Sequence, residues 1–205
     1  MASTQGRALT PVYTYADTRS ADDVAALGEQ IDREAAHQRM GCILHTAYVP
    51  GRLRWLRRTE PALYDSVAQW TDVGTHLYRR WFGAAACSYS VASWSGTLDR
   101  ATLDWDDEWL RLLDLPKTAL PPLADFDQPC SRFCANLARA GRRCDAPFFL
   151  AVGDGAAANV GSGCVGGGQM ALSLGTTAAL RVVRAIRARL SRAACGATAS
   201  APGCT

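Results

Sequence analysis

A short apolar run in the last third of the chain stops abruptly at an acidic residue between two glycines. The run covers residues 147–152 and is followed by Gly153, Asp154 and Gly155. Continuous apolar residues over this length are typical of a strand buried on both faces. We therefore expect Asp154 at the exposed end of a strand, where open α/β sheets bind ligands and where a carboxylate can act as a general base. Because Gly-Asp-Gly is also common in ordinary loops, a turn aspartate is the competing interpretation.

A second strand signal follows and ends in small polar residues. Residues 169–174 are strand-like, Gly175, Thr176 and Thr177 come next, and an apolar segment covers residues 178–183. The pattern predicts two strands joined by a Gly-Thr-Thr turn. Amides and hydroxyls in such a turn can hold a phosphate, but the same three residues also suit a tight hairpin. The tripeptide alone does not distinguish these roles.

The first two thirds of the chain are dominated by helical patterns. Residues 21–39 carry apolar residues at helical intervals, with Asp22 and Asp23 in the first turn. Residues 87–95 are small and polar and predict extended or loop structure. Further helices are expected after Pro50, over residues 61–70 and 73–81, behind the acidic cluster 104–108, over 131–140 and from residue 156.

Composition describes an ordinary globular chain and excludes some partners. The chain has 205 residues, of which 48% are hydrophobic, so it can bury a core. Five arginines lie beyond position 180 with no acidic residue, which leaves the body close to neutral. A nucleic-acid surface needs a basic face built into the fold, so we expect no such partner. Without an apolar span or signal segment, we also expect no membrane partner and a cytoplasmic location.

The eight cysteines do not indicate a disulfide framework. At this length, and without an export signal, reduced thiols are the better interpretation. Cys130, Cys134 and Cys144 invite a zinc hypothesis, but no histidine lies near them in sequence as a fourth ligand. Buried, unreactive cysteine is therefore favoured, and no metal ligands are assigned.

One glycine pattern fits a dinucleotide-binding loop only superficially. Residues 161–166 read Gly-Ser-Gly-Cys-Val-Gly, which matches the spacing of that motif. The true fingerprint lies between a strand and a helix, whereas this stretch follows a helical pattern and precedes a strand. The order of elements argues against a dinucleotide site.

Several segments, in this order, resemble the FGGY family of carbohydrate kinases. The resemblance rests mainly on residues 151–161 and 171–181, supported by residues 13–19 and 48–56. Residues 87–93 and 98–113 are similar to the subgroup that includes gluconate kinases. The chain as a whole also resembles the xylulose kinases of the family. The resemblance implies an α/β fold: a partial actin-like ATPase (ribonuclease H-like) structure.

The resemblance also implies a domain division. We expect a short leader over residues 1–10 and a helix-rich, partial first domain over 11–163. Residues 169–184 would be the first strands of the second domain, and 185–205 a divergent basic tail. The family's opening Asp-x-Gly-Thr-Thr segment and its adenosine-binding part would be missing, so the chain would be truncated at both ends. The tail could bind a membrane surface or a partner helix, although a mistranslated or alternatively spliced end explains it more simply.

By the same resemblance, the chain would phosphorylate a sugar or sugar-acid hydroxyl with ATP and Mg²⁺. Asp154 would take the proton from the attacking hydroxyl and contact the substrate, with Asp17 and Arg19 on the substrate side. Gly175, Thr176 and Thr177 would contact the transferred phosphate. The sequence does not distinguish gluconate, xylulose, ribulose or related sugars as the acceptor. A homodimer is a possible assembly that the sequence does not decide.

The implied truncation points to weak or no turnover by the chain alone. The alternative function is a non-catalytic fragment, or one that binds a full-length kinase.

Overall fold

The computed structural model describes residues 1–3, 6–83, 85–127, 129–131, 147–175 and 178–183. Its first helices are α1, Ala21–Gly28, and α2, Arg33–Met40. The single helix predicted over 21–39 is therefore wrong. The Asp32 side chain accepts hydrogen bonds from the amides of Glu34 and Ala35, so it caps a new helix and ends any continuous one.

Helix α3, Val49–Thr59, packs against α1 and carries Pro50 in its first turn, where proline is well tolerated. Gly51 lies so close to Val24 of α1 that a Cβ atom would collide with it. Helix α4, Pro61–Ser66, is shorter than the predicted 61–70, because the backbone of Val67 is extended. Helix α5, Val73–Phe82, confirms the predicted helix over 73–81; Asp72 caps it through the amide of Thr75.

Short strands follow the helices. Strand β1, Cys87–Ser88, pairs in parallel with β4, Leu123–Ala124, and the one-turn helix α6, Tyr89–Ala92, interrupts the predicted extended segment 87–95. Strands β2, Leu98–Asp99, and β3, Asp104–Trp105, are antiparallel. Helix α7, Asp107–Leu112, confirms the helix predicted behind the acidic cluster, with Asp106 as its cap. A 3₁₀ turn covers Lys117–Ala119.

The core lies between α3, α6, α7 and the small sheets. Two leucines and one tryptophan of this core are almost fully buried: Leu56, Leu98 and Trp105. A second cluster joins α1, α2 and α7 around Trp109, whose indole Nε1 donates to the sulfur of Met40. These clusters make the helical part a scaffold for the segments that follow. Among the described residues, no helix has the length and apolar character needed to span a bilayer.

The last described segments match the prediction only in part. The apolar run 147–152 forms a strand only at residues 148–149, where Phe149 is exposed, so the expected strand buried on both faces is wrong: among the described residues it pairs with one short strand only. The helix begins at Asp154 and not at residue 156, so Asp154 lies in its first turn and not at a strand end. Strand β6, Phe148–Phe149, pairs antiparallel with β5, Pro129–Ser131, and is followed by helix α8, Asp154–Gly161. The helix predicted over 131–140 begins on a residue of β5, and its remainder lies outside the described residues.

Strands β7, Met170–Leu174, and β8, Ala178–Val182, form the predicted hairpin, with Leu174 opposite Ala178. Helix α8 packs against both strands.

Candidate active site

Asp154 is the first residue of α8, directly after Gly153 at the cap position. Its side chain is exposed. The carboxylate makes no hydrogen bond or ion pair to any residue in the described ranges. A negative charge in the first turn of a helix is favoured by the helix dipole. The backbone of Asp154 is therefore placed at the start of α8, and among the described residues no group occupies its carboxylate oxygens.

Two buried serines hold the loop that leads into Asp154. The Ser88 hydroxyl donates to the carbonyl oxygen of Ala151 at 2.5 Å and accepts from the amide of Val91. The Ser90 hydroxyl accepts from the amide of Gly153 at 3.0 Å. Both serines are 2% exposed, so water competes little for these bonds.

Trp94 covers the same loop. A Cβ atom on Gly153 would lie 2.8 Å from the indole Nε1 of Trp94, and one on Gly155 would lie 2.8 Å from both Trp94 and the Nε of Arg181. The two glycines next to Asp154 thus allow a close approach that side chains would prevent. Among the described residues, the Trp94 Nε1 and Arg181 Nε groups are buried and have no hydrogen-bond partner.

A cavity of about 430 Å³ extends from Trp94 into the helical part. Tyr13 and Arg52 line it on the polar side, and its apolar wall includes Leu53 and Trp105. Asp154 is not among the residues that line this cavity. Its volume lies within the usual range for small-molecule sites, and its mainly apolar lining with a few polar groups is also typical of them.

Asp17 and Arg19 lie together at a shallower cavity that shares Tyr13 with the first. Arg19 binds Asp17 through Nε and Nη2, at 2.6 Å for the shortest bond, and its guanidinium lies over the ring of Trp55. Hydrogen bonds from Arg19 lower the pKa of Asp17 to about 2. The sequence-predicted pair is thus adjacent in space, but Asp154 does not line its cavity.

Arg52 fixes the backbone beside this pair. Its guanidinium donates to the carbonyl oxygens of Tyr13, Thr14 and Thr46, and burial lowers its pKa. Since these bonds run from helix α3 to the segment before Asp17, they hold that segment against the helix. Arg52 therefore contributes to the shape of the segment that carries Asp17 and Arg19.

Gly175 is exposed at the turn of the hairpin, whereas Thr176 and Thr177 lie outside the described residues. Within the described ranges, no three His, Cys, Asp or Glu side chains are grouped so as to hold a metal ion. The side chains of the zinc candidates Cys130, Cys134 and Cys144 fall outside those ranges, while Cys42, Cys87 and Cys164 are free thiols.

Ser88, Ser90 and Trp94 are absent from the residues predicted from sequence. Their contacts to the Asp154 loop span about 60 positions, and local patterns do not reveal such contacts. Besides the similarity of residues 87–93 to the gluconate kinase subgroup, the available signal is the pair of hydroxyls two apart at the start of a one-turn helix. That signal is common in caps and carries little information by itself.

Comparisons with known proteins agree on one family. The model of the FGGY family of carbohydrate kinases, N-terminal domain, matches residues 1–161. The chain is 30% identical over 169 residues to the xylulose kinase of Klebsiella pneumoniae, covering 82% of this chain and 35% of that one. It is 25% identical over 178 residues to the gluconokinase of Bacillus subtilis, covering 85% and 34%.

Solved structures show the same fold. The xylulose kinase from Rhodospirillum rubrum superposes with a TM-score of 0.82 at 24% identity, over 88% of this chain and 37% of that one. The gluconate kinase from Lactobacillus acidophilus superposes with a TM-score of 0.81 at 22% identity, over 88% of this chain and 37% of that one.

The chain thus spans about a third of the length of the curated relatives it matches. The predicted partial actin-like α/β fold is confirmed, and the chain belongs to the FGGY family of carbohydrate kinases.

Proposed function

We propose that this chain forms the acceptor side of an ATP-dependent sugar kinase site. In this proposal Asp154 accepts the proton of a sugar or sugar-acid hydroxyl while that oxygen attacks the γ-phosphate of ATP. The observation that carries the proposal is the Asp154 carboxylate itself: exposed, unpaired among the described residues, and fixed at the start of α8. Phosphoryl transfer depends mainly on positioning and electrostatics, so a fixed base of this kind is what the reaction needs.

The acceptor class follows from the relatives. Proteins similar to this chain are named gluconokinase, xylulose kinase and glycerol kinase. These names share an acceptor with several hydroxyl groups, and we assign that class to this chain. Asp17 and Arg19 would contact it from the other side. Arg19 uses Nε and Nη2 on Asp17, which leaves Nη1 for an acceptor oxygen.

The donor side of the proposal rests on the hairpin turn. Gly175, Thr176 and Thr177 would contact the transferred phosphate, with ATP and Mg²⁺ as the donor pair. No catalytic step is assigned to the metal, because the described residues do not form a centre for it.

The test separates acceptor binding from transfer. The chain, in excess over labelled Mg-ATP, is incubated with D-gluconate, D-xylulose or glycerol, and phosphorylated acceptor is quantified. We expect slow, acceptor-dependent transfer that Asp154→Asn lowers by about 100-fold or more, since a general base contributes about that much. Binding of the acceptor, followed by ligand-observed NMR, should change less than about threefold, because asparagine keeps the shape of the side chain.

The matched control is Asp107→Asn. Asp107 is also an exposed first residue of a helix, α7, so this change repeats the charge and dipole effects of Asp154→Asn away from the proposed site. It should leave transfer unchanged. Equal losses in both variants, or none in Asp154→Asn, would remove Asp154 from the mechanism.

A second candidate function is a non-catalytic chain that binds a full-length kinase. The hairpin favours it, since its register places Met170, Leu172 and Leu174 beside Val182 and Leu180 on one exposed apolar face. Exposed apolar faces of this kind commonly mark interaction surfaces. Light scattering with and without the Klebsiella pneumoniae xylulose kinase decides this point. A complex that Leu172→Lys abolishes, together with no transfer, would favour this candidate.

A further inference from the structure

The loop before Asp154 has its polar backbone groups satisfied from a distant segment of the chain. Ser90 accepts from the amide of Gly153, the residue immediately before the proposed base. We infer that Ser90 is a positioning residue, which sets the place of the Asp154 carboxylate by holding the start of α8. The inference rests on the proposed function and names a residue that acts through Asp154 without touching substrate.

The start of α8 has no side-chain cap of its own. Helices usually begin with a side chain that accepts from an amide of the first turn, but Gly153 at the cap position has none. Its carbonyl accepts the first helical bond, from Ala157. Its amide points away from the helix and is bound by Ser90. The beginning of α8 is therefore fixed from outside.

The loop before Asp154 is held at two points. Ser88 donates to the carbonyl oxygen of Ala151, and Ser90 accepts from Gly153, so the bonds bracket Val152. The hydroxyls act in opposite senses, one as donor and one as acceptor. This pairing fixes both the position and the orientation of the peptide groups next to Asp154.

The segment that holds the loop is itself buried and hydrogen-bonded. Ser88 caps α6 by accepting from the amide of Val91, and the Ser93 hydroxyl donates to the carbonyl oxygen of Ser90. Ser90 is 2% exposed, and Trp94 closes the loop from the next turn. A buried, hydrogen-bonded support of this kind is what holds a catalytic side chain to within fractions of an ångström.

The chemistry explains why this matters for transfer. A base must reach hydrogen-bond distance of the hydroxyl proton, and a misplacement of about 1 Å can cost about 100-fold in rate. Without the Ser90 bond the Gly153 amide would turn toward water, and α8 could begin one residue later. Asp154 would then lie outside the helix and its carboxylate would be displaced, although it would still be a carboxylate able to accept a proton.

Two measurements on the full chain test the inference. The first is amide exchange at Gly153 by NMR, which needs no activity. Ser90→Ala should accelerate this exchange by about tenfold, as expected for loss of one buried hydrogen bond. Ser90→Thr keeps the hydroxyl and should restore slow exchange. Ser66→Ala is the control, because Ser66 is an exposed serine that donates only to its own helix, at Leu63.

The second measurement is the rate of acceptor phosphorylation. Ser90→Ala should lower kcat by about tenfold or more at an unchanged KM for the acceptor, because the acceptor contacts remain while the base is misplaced. Ser90→Thr should recover most of kcat. If Ser90→Ala acted only by destabilising the fold, it would lower the fraction of active protein, and restoring the hydroxyl in Ser90→Thr would not restore kcat.

The outcomes separate the two proposals. Unchanged Gly153 exchange in Ser90→Ala, or unchanged kcat despite faster exchange, would overturn the positioning role while leaving Asp154 as base. Full activity in Asp154→Asn would overturn the proposed function, whatever the exchange rates. If the wild-type chain shows no transfer, the catalytic proposal fails and the exchange arm alone decides whether Ser90 holds the loop.

Discussion

The buried hydroxyl of Ser90 lies 3.0 Å from the amide nitrogen of Gly153, across 63 positions of sequence. This bond joins the short α6 segment to the loop that carries Asp154. It holds the backbone immediately before Asp154, whose carboxylate has no ion-pair partner among the described residues.

Gly153→Ala should destabilise the protein. The backbone angles of Gly153, φ −59° and ψ 138°, are open to any residue, so strain comes only from the new Cβ atom, 2.8 Å from Trp94 Nε1. Forcing the indole aside should lower the free energy of unfolding by about 1–3 kcal/mol. Urea unfolding of the wild type and the variant measures this difference in the free energy of unfolding. Gly161→Ala is the matched control, since nothing lies within 4 Å of a Cβ there and the helix should gain up to about 1 kcal/mol. Equal effects in both variants would refute the close approach of Trp94.

Asp106→Ala should be among the more damaging changes in the helical part. Asp106 is 3% exposed, caps α7 through the amide of Trp109, and pairs with Arg39 Nε at 2.7 Å. Its removal takes away a cap and a charged partner together, so the free energy of unfolding should fall by about 2–4 kcal/mol. Asp107→Ala, at the exposed next position, should cost well under 1 kcal/mol on the usual scale for surface changes. Chemical denaturation of the two variants decides this.

Asp17 should make the protein less stable in acid. Hydrogen bonds from Arg19 hold its pKa at about 2 in the folded chain, below the ordinary 3.8. A lowered folded pKa means that the stabilising contribution is present above pH 3.8 and is lost as the pH falls toward 2. Thermal unfolding between pH 2 and pH 5 should therefore show a steeper loss for the wild type than for Asp17→Asn. Parallel curves would contradict the paired state of Asp17.

The described thiols should differ in reactivity. Burial raises the pKa of the Cys87 thiol far above its usual range and raises that of Cys42 as well. Cys164 is a free thiol that is only partly enclosed. Iodoacetamide labelling of the native protein at pH 8, followed by peptide mapping, should therefore modify Cys164 at least about tenfold faster than the other two. Similar rates for all three would show that the core around Cys87 is open.

The sequence allowed correct prediction of features that depend on neighbouring residues. The helix near the Gly-Asp-Gly stretch follows from local signals, although it begins at Asp154 itself and the strand before it covers only Phe148–Phe149. The β7–β8 hairpin follows from two strand-like segments around Gly175. In each case propensity and turn chemistry act within about ten residues, and tertiary contacts agree with them.

The errors have equally physical causes. Residues 21–39 show helical periodicity throughout, but the Asp32 side chain accepts hydrogen bonds from backbone amides and starts a second helix, which interrupts the first. The roles of Ser88, Ser90 and Trp94 depend on contacts between segments far apart in sequence. The pairing of Asp17 with Arg19 is local, yet whether both face the same ligand as Asp154 depends on how the two loops meet. The site assignments of Asp17, Arg19, Asp154 and the Gly175 turn stay predictions.

A crystal structure of the chain with bound acceptor tests the central claim most directly, since it does not depend on turnover. Soaking with D-gluconate or D-xylulose should place one hydroxyl oxygen about 2.6–3.2 Å from a carboxylate oxygen of Asp154, the distance that proton transfer requires. The same sugar should lie on the Asp17–Arg19 side. A sugar bound in the cavity between Tyr13 and Trp94 with all its hydroxyls out of reach of Asp154 would contradict the account.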